Sequence, residues 1–253
     1  MGGALRPVLA PRSGRTRLRL LNSTAGDSLR LAVTRDGQPT TVHLVATDGG
    51  LVEAPVPLDE VLLPPGGRTE VLVDTSRPGR QEVRALPHSP YGPGGKASGD
   101  ELIASLDVPT GLRPVALPRA LQLVERLDPA SAVAVRRIEM DADESGGFTL
   151  DGKTFAMDRV DARARLDTLE VWEVVNRHAM DHPFHLHSYA VQVLDVDGVP
   201  PPHRAWYDTV NIPPGSTVRL AVPFRGGAGR TVYHCHITNH EDLGMMAVLE
   251  VTA

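Results

Sequence analysis

Toward its C-terminus the chain reads His234-Cys235-His236, then His240, Glu241 and Met245, and Cys235 is its only cysteine. In an extended strand successive side chains point to opposite faces, so the thiol faces one way and the two flanking imidazoles the other. One tripeptide can therefore touch two metal centres. A second cluster lies upstream at His182-Pro183-Phe184-His185-Leu186-His187, where His185 and His187 share a face and His182 sits just before them.

On the sulfur side, a thiolate, two imidazoles and a weak axial thioether make up the trigonal ligand set of a blue-copper electron-transfer centre. Cys235, His182, His240 and Met245 supply those four parts, and the soft sulfur donors favour copper over magnesium or calcium. Gly244 is expected to let the backbone turn the thioether toward the metal, and Met246 to point the opposite way, into the core. On the other face, His185 and His187 with His234 and His236 give four imidazoles suited to further copper ions. A lone His-x-His is equally a surface pair or a zinc fragment. Six of the ten histidines, however, fall in these clusters with the sole cysteine, which argues against coincidental core packing. A zinc site from His182, His185, His187 and Cys235 is allowed by ligand type, but it leaves His234, His236, His240 and Met245 without a purpose. His43, His88, His178 and His203 are isolated and are expected to be solvated or hydrogen-bonded side chains.

The rest of the chain must position these clusters. With 253 residues, 41% of them hydrophobic, it can form two domains that each bury a core. The net charge is −5 and the Lys and Arg residues are scattered, which excludes a nucleic-acid groove or an anionic membrane surface as the organising feature. No apolar run approaches the roughly 18 residues of a membrane span. One cysteine excludes internal disulfides. The N-terminal arginines (Arg6, Arg12, Arg15, Arg17 and Arg19) are not followed by an apolar segment, so no signal peptide is expected in this chain.

The 24 Gly and 22 Pro fall mostly in short clusters between runs of Val and Leu, and long helical periodicity is absent. Strand-length alternation recurs at Thr16–Leu20 and Thr168–Val174, which predicts an all-β fold of sandwiches or barrels. Asp151-Gly152 between Phe148-Thr149-Leu150 and Lys153-Thr154-Phe155 predicts a two-residue hairpin. Leu86 to Asp100 reads as a long exposed loop, and the prolines between Pro109 and Pro118 as an interdomain linker. An internal repeat supports two related units: Val61-Leu62-Leu63-Pro64-Pro65-Gly66 resembles Val210-Asn211-Ile212-Pro213-Pro214-Gly215, each followed by a strand and a glycine turn. Carried forward, it sets Arg84-Ala85-Leu86 against His234-Cys235-His236. Aligning Asn22 with Asn176 places Ser28, Leu31 and Val33 opposite His182, His185 and His187, so the first unit is expected to lack metal ligands.

His-x-x-His-x-His followed by His-Cys-His-x-x-x-His-x-x-x-x-Met resembles the C-terminal pair of copper motifs of multicopper oxidases, the family of laccases, bacterial cuprous oxidases and ceruloplasmin-like ferroxidases. Met180-Asp181-His182-Pro183-Phe184-His185 and Trp206-Tyr207-Asp208-Thr209-Val210 are similar to the surrounding family text. Arg17–Asn22 and Thr47–Leu51 resemble the middle domain of three-domain members. The resemblance implies an all-β fold of two cupredoxin-like Greek-key β-sandwich domains: a copper-free one at 1–112, and one at 113–253 carrying type 1 copper and half of the trinuclear-cluster ligands. It assigns His182, Cys235, His240 and Met245 to a complete type 1 site, His185 to type 2 copper, and His187, His234 and His236 to the type 3 pair. Glu241 matches a catalytic acidic residue that passes protons toward bound oxygen; the plainer reading is a solvated loop carboxylate. Asp208 and Asp242 are candidate partners for the second nitrogen of ligand imidazoles.

The implied activity is laccase-like: one-electron oxidation of a small reducing substrate, phenol or metal ion, coupled to reduction of O2 to water. Family members complete the trinuclear cluster with two further His-x-His pairs from an N-terminal domain. This chain has no such pair before residue 185, its first half holding only His43 and His88. The type 2 and type 3 sites are thus half-supplied, and the implied partner is a missing N-terminal cupredoxin domain or a separate chain. The alternative is a copper-binding electron-transfer or copper-storage cupredoxin without oxygen reduction; a pure scaffold is disfavoured because every type 1 ligand is present. Bacterial members are commonly periplasmic or secreted, which sets the expected location. Reading the coding DNA upstream of Met1 separates the first two: two His-x-His pairs there, or in a neighbouring gene, are expected for the oxidase, and their absence from both favours the carrier.

Overall fold

The structure, a computed structural model, describes residues 3–92 and 95–253. Pro93 and Gly94, inside the segment read as a long loop, lie outside the described residues. Ten strands build the first half: β1 (Val8–Leu9), β2 (Arg15–Leu21), β3 (Leu29–Arg35), β4 (Gln38–Thr40), β5 (Val42–Thr47), β6 (Gly50–Leu58), β7 (Val61–Leu63), β8 (Arg68–Asp74), β9 (Gly79–Leu86) and β10 (Glu101–Val108). They form a sheet in the order β1-β10-β9-β3-β4, with β7 also on β3, and a second sheet β2-β8-β5-β6. The second half holds β11 (Ala134–Ala142), β12 (Phe148–Leu150), β13 (Ala162–Arg165), β14 (Leu169–Asn176), β15 (His182–Leu186), β16 (Gln192–Val196), β17 (Thr209–Ile212), β18 (Thr217–Pro223), β19 (Gly229–Cys235) and β20 (Met246–Thr252). Its sheets run β12-β11-β14-β18-β16 and β13-β20-β19-β15-β17. The sole α-helix among the described residues, α1, is the five-residue turn Thr238–Asp242. No helix there is long and apolar enough to cross a membrane.

Each half is a sandwich because its strands alternate: β8 reads Arg-Thr-Glu-Val-Leu-Val-Asp with every second residue buried. Val33, Val71, Val73, Val83 and Leu106 meet in the first core. In the second, Trp172 is fully buried with Phe184, Phe224 and Tyr233 at ring-centroid distances of 6.1, 6.1 and 5.3 Å. The scarce aromatic residues are thus concentrated directly behind β15 and β19. Residues 109–133 cross both sandwiches without strand structure, bonding back through Leu121 N–H to Glu53 O (2.9 Å) and Gln192 Nε2 to Glu125 O (2.7 Å).

The repeat is written in hydrogen bonds. Asn22 donates from Nδ2 to Asp27 O (2.7 Å) and Leu63 O (2.9 Å); Asn176 donates to Met180 O (2.7 Å) and Ile212 O (2.9 Å). The two side chains pin the same loop to the same turn in both sandwiches. Strand register corrects one part of the alignment. Leu29 pairs with Leu63 and Leu31 with Ala85, whereas His182 pairs with Ile212 and Phe184 with Cys235. Leu29, Ala32 and Thr34 therefore stand opposite His182, His185 and His187, one residue on from the expected Ser28, Leu31 and Val33. The loop after Asn22 is one residue longer than the loop after Asn176, which sequence spacing alone could not show.

The hairpin also differs. Asp151 and Gly152 form the turn, both with positive φ, but only the Leu150–Lys153 bridge continues it. Phe148–Leu150 pairs instead with β11, because Phe155 N–H is taken by Gly244 O at 2.9 Å. Asn176 is 0% exposed, so its removal strands buried carbonyls. We expect Asn176→Ala to cost roughly 2–3 kcal/mol in urea unfolding through the desolvated acceptors it leaves, where a surface Asn would cost well under 1.

Candidate metal centres

The pairing of β15 with β19 sets Phe184 opposite Cys235 and His185 opposite His234. Because side chains alternate along each strand, the thiol and His182 turn inward while His185, His187 and His234 turn outward. Cys235 Sγ lies 3.5 Å from His182 Nδ1 and 3.6 Å from His240 Nδ1, and the two nitrogens are 3.1 Å apart. His240 reaches this point from α1, whose turn follows the strand end directly. With nitrogens about 2.0–2.1 Å and sulfur about 2.3 Å from a common centre, a trigonal plane has edges of about 3.5–3.8 Å, close enough to those seen for the triangle to suit one metal ion. The surroundings are dry: His182 and Cys235 are fully buried, His240 nearly so, and His182 Nε2 has no hydrogen-bond partner. Met245 is 0% exposed, and its backbone closes the site through Met245 N–H to His240 O (2.9 Å) and Cys235 N–H to Met245 O (3.0 Å). The preceding Gly244 has φ +112°, and a Cβ there would stand 2.8 Å from Thr154 Cβ, so only glycine serves this turn.

On the outer face four imidazoles gather. Ring centroids are 4.7 Å apart for His185–His187, 5.3 Å for His185–His234, 5.2 Å for His185–His236 and 5.1 Å for His187–His234. Ligand atoms of His185, His187 and His234 all lie within 4.8 Å of one another. His234 Nδ1 donates to Cys235 O at 2.8 Å, which leaves its Nε2 bare toward His187 Nε2 at 2.9 Å. His185 Nδ1 faces Asp208 O (2.9 Å) and Thr209 Oγ1 (3.0 Å). His187 is exposed, so this face opens outward.

Of the predicted partners, Asp208 sits beside His185, its Oδ1 3.5 Å from Nδ1. Asp242 does not serve: it is exposed, and the carboxylate that reaches an imidazole is Glu241, with Oε2 3.3 Å from His234 Nδ1. Helical geometry in α1 turns residue 241 back toward the strand and residue 242 away. Met246 is also corrected, being half-buried beside a surface hollow lined by Thr154, Phe155 and Glu241 rather than in the core. Among the isolated histidines, His88 Nε2 bonds Asp181 Oδ2 (3.1 Å) and His203 Nε2 faces Tyr207 Oη (3.3 Å). His178 departs from the expectation of a solvated or hydrogen-bonded side chain: its ring packs 5.2 Å from the His182 ring and 5.6 Å from that of Phe148, and its buried Nδ1 has no hydrogen-bond partner.

Several contacts were not foreseen. Phe148 stacks on His240 at 3.7 Å and 18°, roofing the sulfur-containing site. From the first sandwich, Arg68 grips Asp208 with Nη1 to Oδ1 at 2.6 Å and Nη2 to Oδ2 at 2.5 Å. Gly66, at φ +75°, lies so close to His236 that any side-chain carbon would overlap the ring. The Pro-Pro-Gly repeat marked that turn, but nothing local to it points to a histidine in the other half.

A family model described as multicopper oxidase matches residues 126–253. The chain belongs to the multicopper oxidase family. It is similar to a multicopper oxidase of Staphylococcus aureus, 28% identical over 258 residues that cover 100% of this chain and 52% of the relative. Among solved structures it resembles the Campylobacter jejuni multicopper oxidase described as a metallo-oxidase, with a TM-score of 0.84 and 29% identity over 97% of this chain and 55% of that one. It also resembles McoA of Aquifex aeolicus, with a TM-score of 0.87 and 27% identity over 98% of this chain and 57% of that one. The chain thus spans about half the length of these multicopper oxidases, and its two sandwiches have the cupredoxin-like fold of the family. Membership implies copper, and the soft sulfur and imidazole donors of the inner triangle suit it.

Burial sets the protonation of these buried groups. Desolvation pushes His182 down to about 3, helped by the neighbouring His240 and His178, and takes His234 and His240 down to about 4. The same burial pushes the Cys235 thiol up to about 12. In the unfolded chain these imidazoles take up protons near pH 6.5, whereas the folded ones stay neutral to about pH 4. Below 6.5 the unfolded state therefore binds more protons, and the metal-free fold loses up to about 1.4 kcal/mol per pH unit per group as pH falls. Above 6.5 the contribution is flat. Urea midpoints of the metal-free chain should hold steady from pH 8 to 7 and drop steeply between 6 and 4.5; a level profile there would show that the imidazoles are not held neutral.

Proposed function

We propose that this chain is the C-terminal two-domain part of a laccase-like oxidase that oxidises a small reducing substrate, a phenol or a metal ion, one electron at a time and reduces O2 to water. In this reading residues 1–112 are the copper-free middle domain and 113–253 the copper domain, with the remaining histidines supplied by an N-terminal domain or separate chain. The observation that carries it is the convergence of Cys235 Sγ, His182 Nδ1 and His240 Nδ1 on one point. These three, with Met245, are assigned to type 1 copper, His185 to type 2, and His187, His234 and His236 to type 3. When bound, copper supplies the one-electron acceptor and the oxygen-reducing centre.

The chain's own groups do the rest. Cys235 must lose a proton that burial holds on it, so loading is coupled to proton release. His182 and His240 are already neutral and need no such step. Cys235 O accepts from His234 Nδ1, so sulfur is joined to the outer imidazole by a short covalent path and one hydrogen bond of 2.8 Å. Glu241, its side chain 36% exposed and its Oε2 3.3 Å from His234 Nδ1, stands between solvent and the outer site and is assigned the proton-passing role.

Copper reconstitution followed by visible and spin-resonance spectroscopy is the test. A thiolate-to-copper blue band is expected in the native chain and should vanish in Cys235→Ser. An unchanged spectrum in that variant would falsify the assignment.

A further inference from the structure

We propose that the first sandwich, which carries none of the assigned ligands, is the positioning element of the outer site, with Arg68 clamping His185 through Asp208 and Gly66 seating His236. The proposal rests on the reading of His185 and His236 as metal ligands.

The turn from Pro64 to Arg68 links β7 to β8 and projects onto the second sandwich. Arg68 opens β8 and is anchored there, its N–H donating to Asp48 Oδ1 at 2.6 Å and Nη2 to Asp48 O at 3.3 Å. Asp48 is almost wholly buried, so this anchor is not a loose surface pair. From it the guanidinium presents both forks to the two oxygens of Asp208, a bidentate geometry that fixes the carboxylate plane. Thr209 Oγ1 donates to Asp208 Oδ1 at 2.8 Å, which commits the hydroxyl proton. Its lone pair is then turned toward His185 Nδ1 at 3.0 Å, and Asp208 O stands at 2.9 Å from the same nitrogen.

Every direction in this chain is determined. His185 must carry its proton on Nδ1 as donor, because both neighbours there are acceptors. Its Nε2 is left bare, in the form a metal requires. On the other side of the site the His236 ring packs directly on the backbone of Gly66, in room that any Cβ at that position would take. Two of the four imidazoles are thus oriented by a domain that gives no ligand.

Arg68→Gln in the full chain tests this, with Arg68→Lys and Asp208→Asn beside it. Histidine nitrogen-15 spectra of the metal-free chain should show His185 in a single Nδ1–H form in the native protein and as mixed neutral tautomers in Arg68→Gln and Asp208→Asn. Calorimetric titration with Cu(II) should find binding at the outer site weakened 10–100-fold, with the blue band intact. Arg68→Lys, which restores charge but not the fork, should recover only part. A folded Arg68→Gln, or Asp208→Asn if the former does not fold, with an unaltered His185 tautomer overturns the clamp. If the native chain takes up no copper beyond the blue site, the half-supplied outer centre is what fails, and the metal-free spectra still decide the clamp.

Discussion

The register between β15 and β19 carries more of this molecule than any single ligand. Pairing Phe184 with Cys235 and His185 with His234 puts the thiol on the inner face and the imidazoles on the outer one, and β20 holds His234 from the other side by pairing it with Met246. A slip of one residue would exchange the two faces, burying imidazoles against Trp172 and turning the sulfur outward. The aromatic cluster around Trp172 holds the register, because Phe184 and Tyr233, one from each strand, both pack on it.

Desolvation then divides labour between the two sites. The inner triangle is dry, so its imidazoles are neutral and its thiol is protonated until a cation displaces that proton. The outer site is half open, and its hydrogen bonds rather than burial decide which nitrogen is free. At Asp208 the two influences oppose each other: burial pushes the carboxyl up, but bonds from His185, Arg68 and Thr209 outweigh it and hold it well below the usual carboxylate range. Asp48 has no such number of donors, and burial raises it to about 6. Arg68 is therefore committed mainly to Asp208.

The convergence of Cys235, His182 and His240 was legible because these residue types are rare and their spacing matches strand alternation; the sole cysteine and His240, five residues on, needed only a turn between them. Both sandwiches were legible from short alternating strands and the Pro-Pro-Gly repeat. Residues whose role depends on the other half of the chain were not. Arg68 and Gly66 have ordinary local sequence, and their distance from His185 and His236 is set only when the sandwiches dock. The choice between Glu241 and Asp242 depended on whether the segment was strand or helix, and the match of Leu31 to His185 failed by one residue in a loop. Phe148 reached His240 because its hairpin ended after one bridge.

Cys235 is both fully enclosed and held as a thiol by its surroundings. Thiolate is the form that peroxide and alkylating agents attack, so in the metal-free fold both the enclosure and the retained proton protect this sulfur. This chain holds no second cysteine, so within it that sulfur has no disulfide partner.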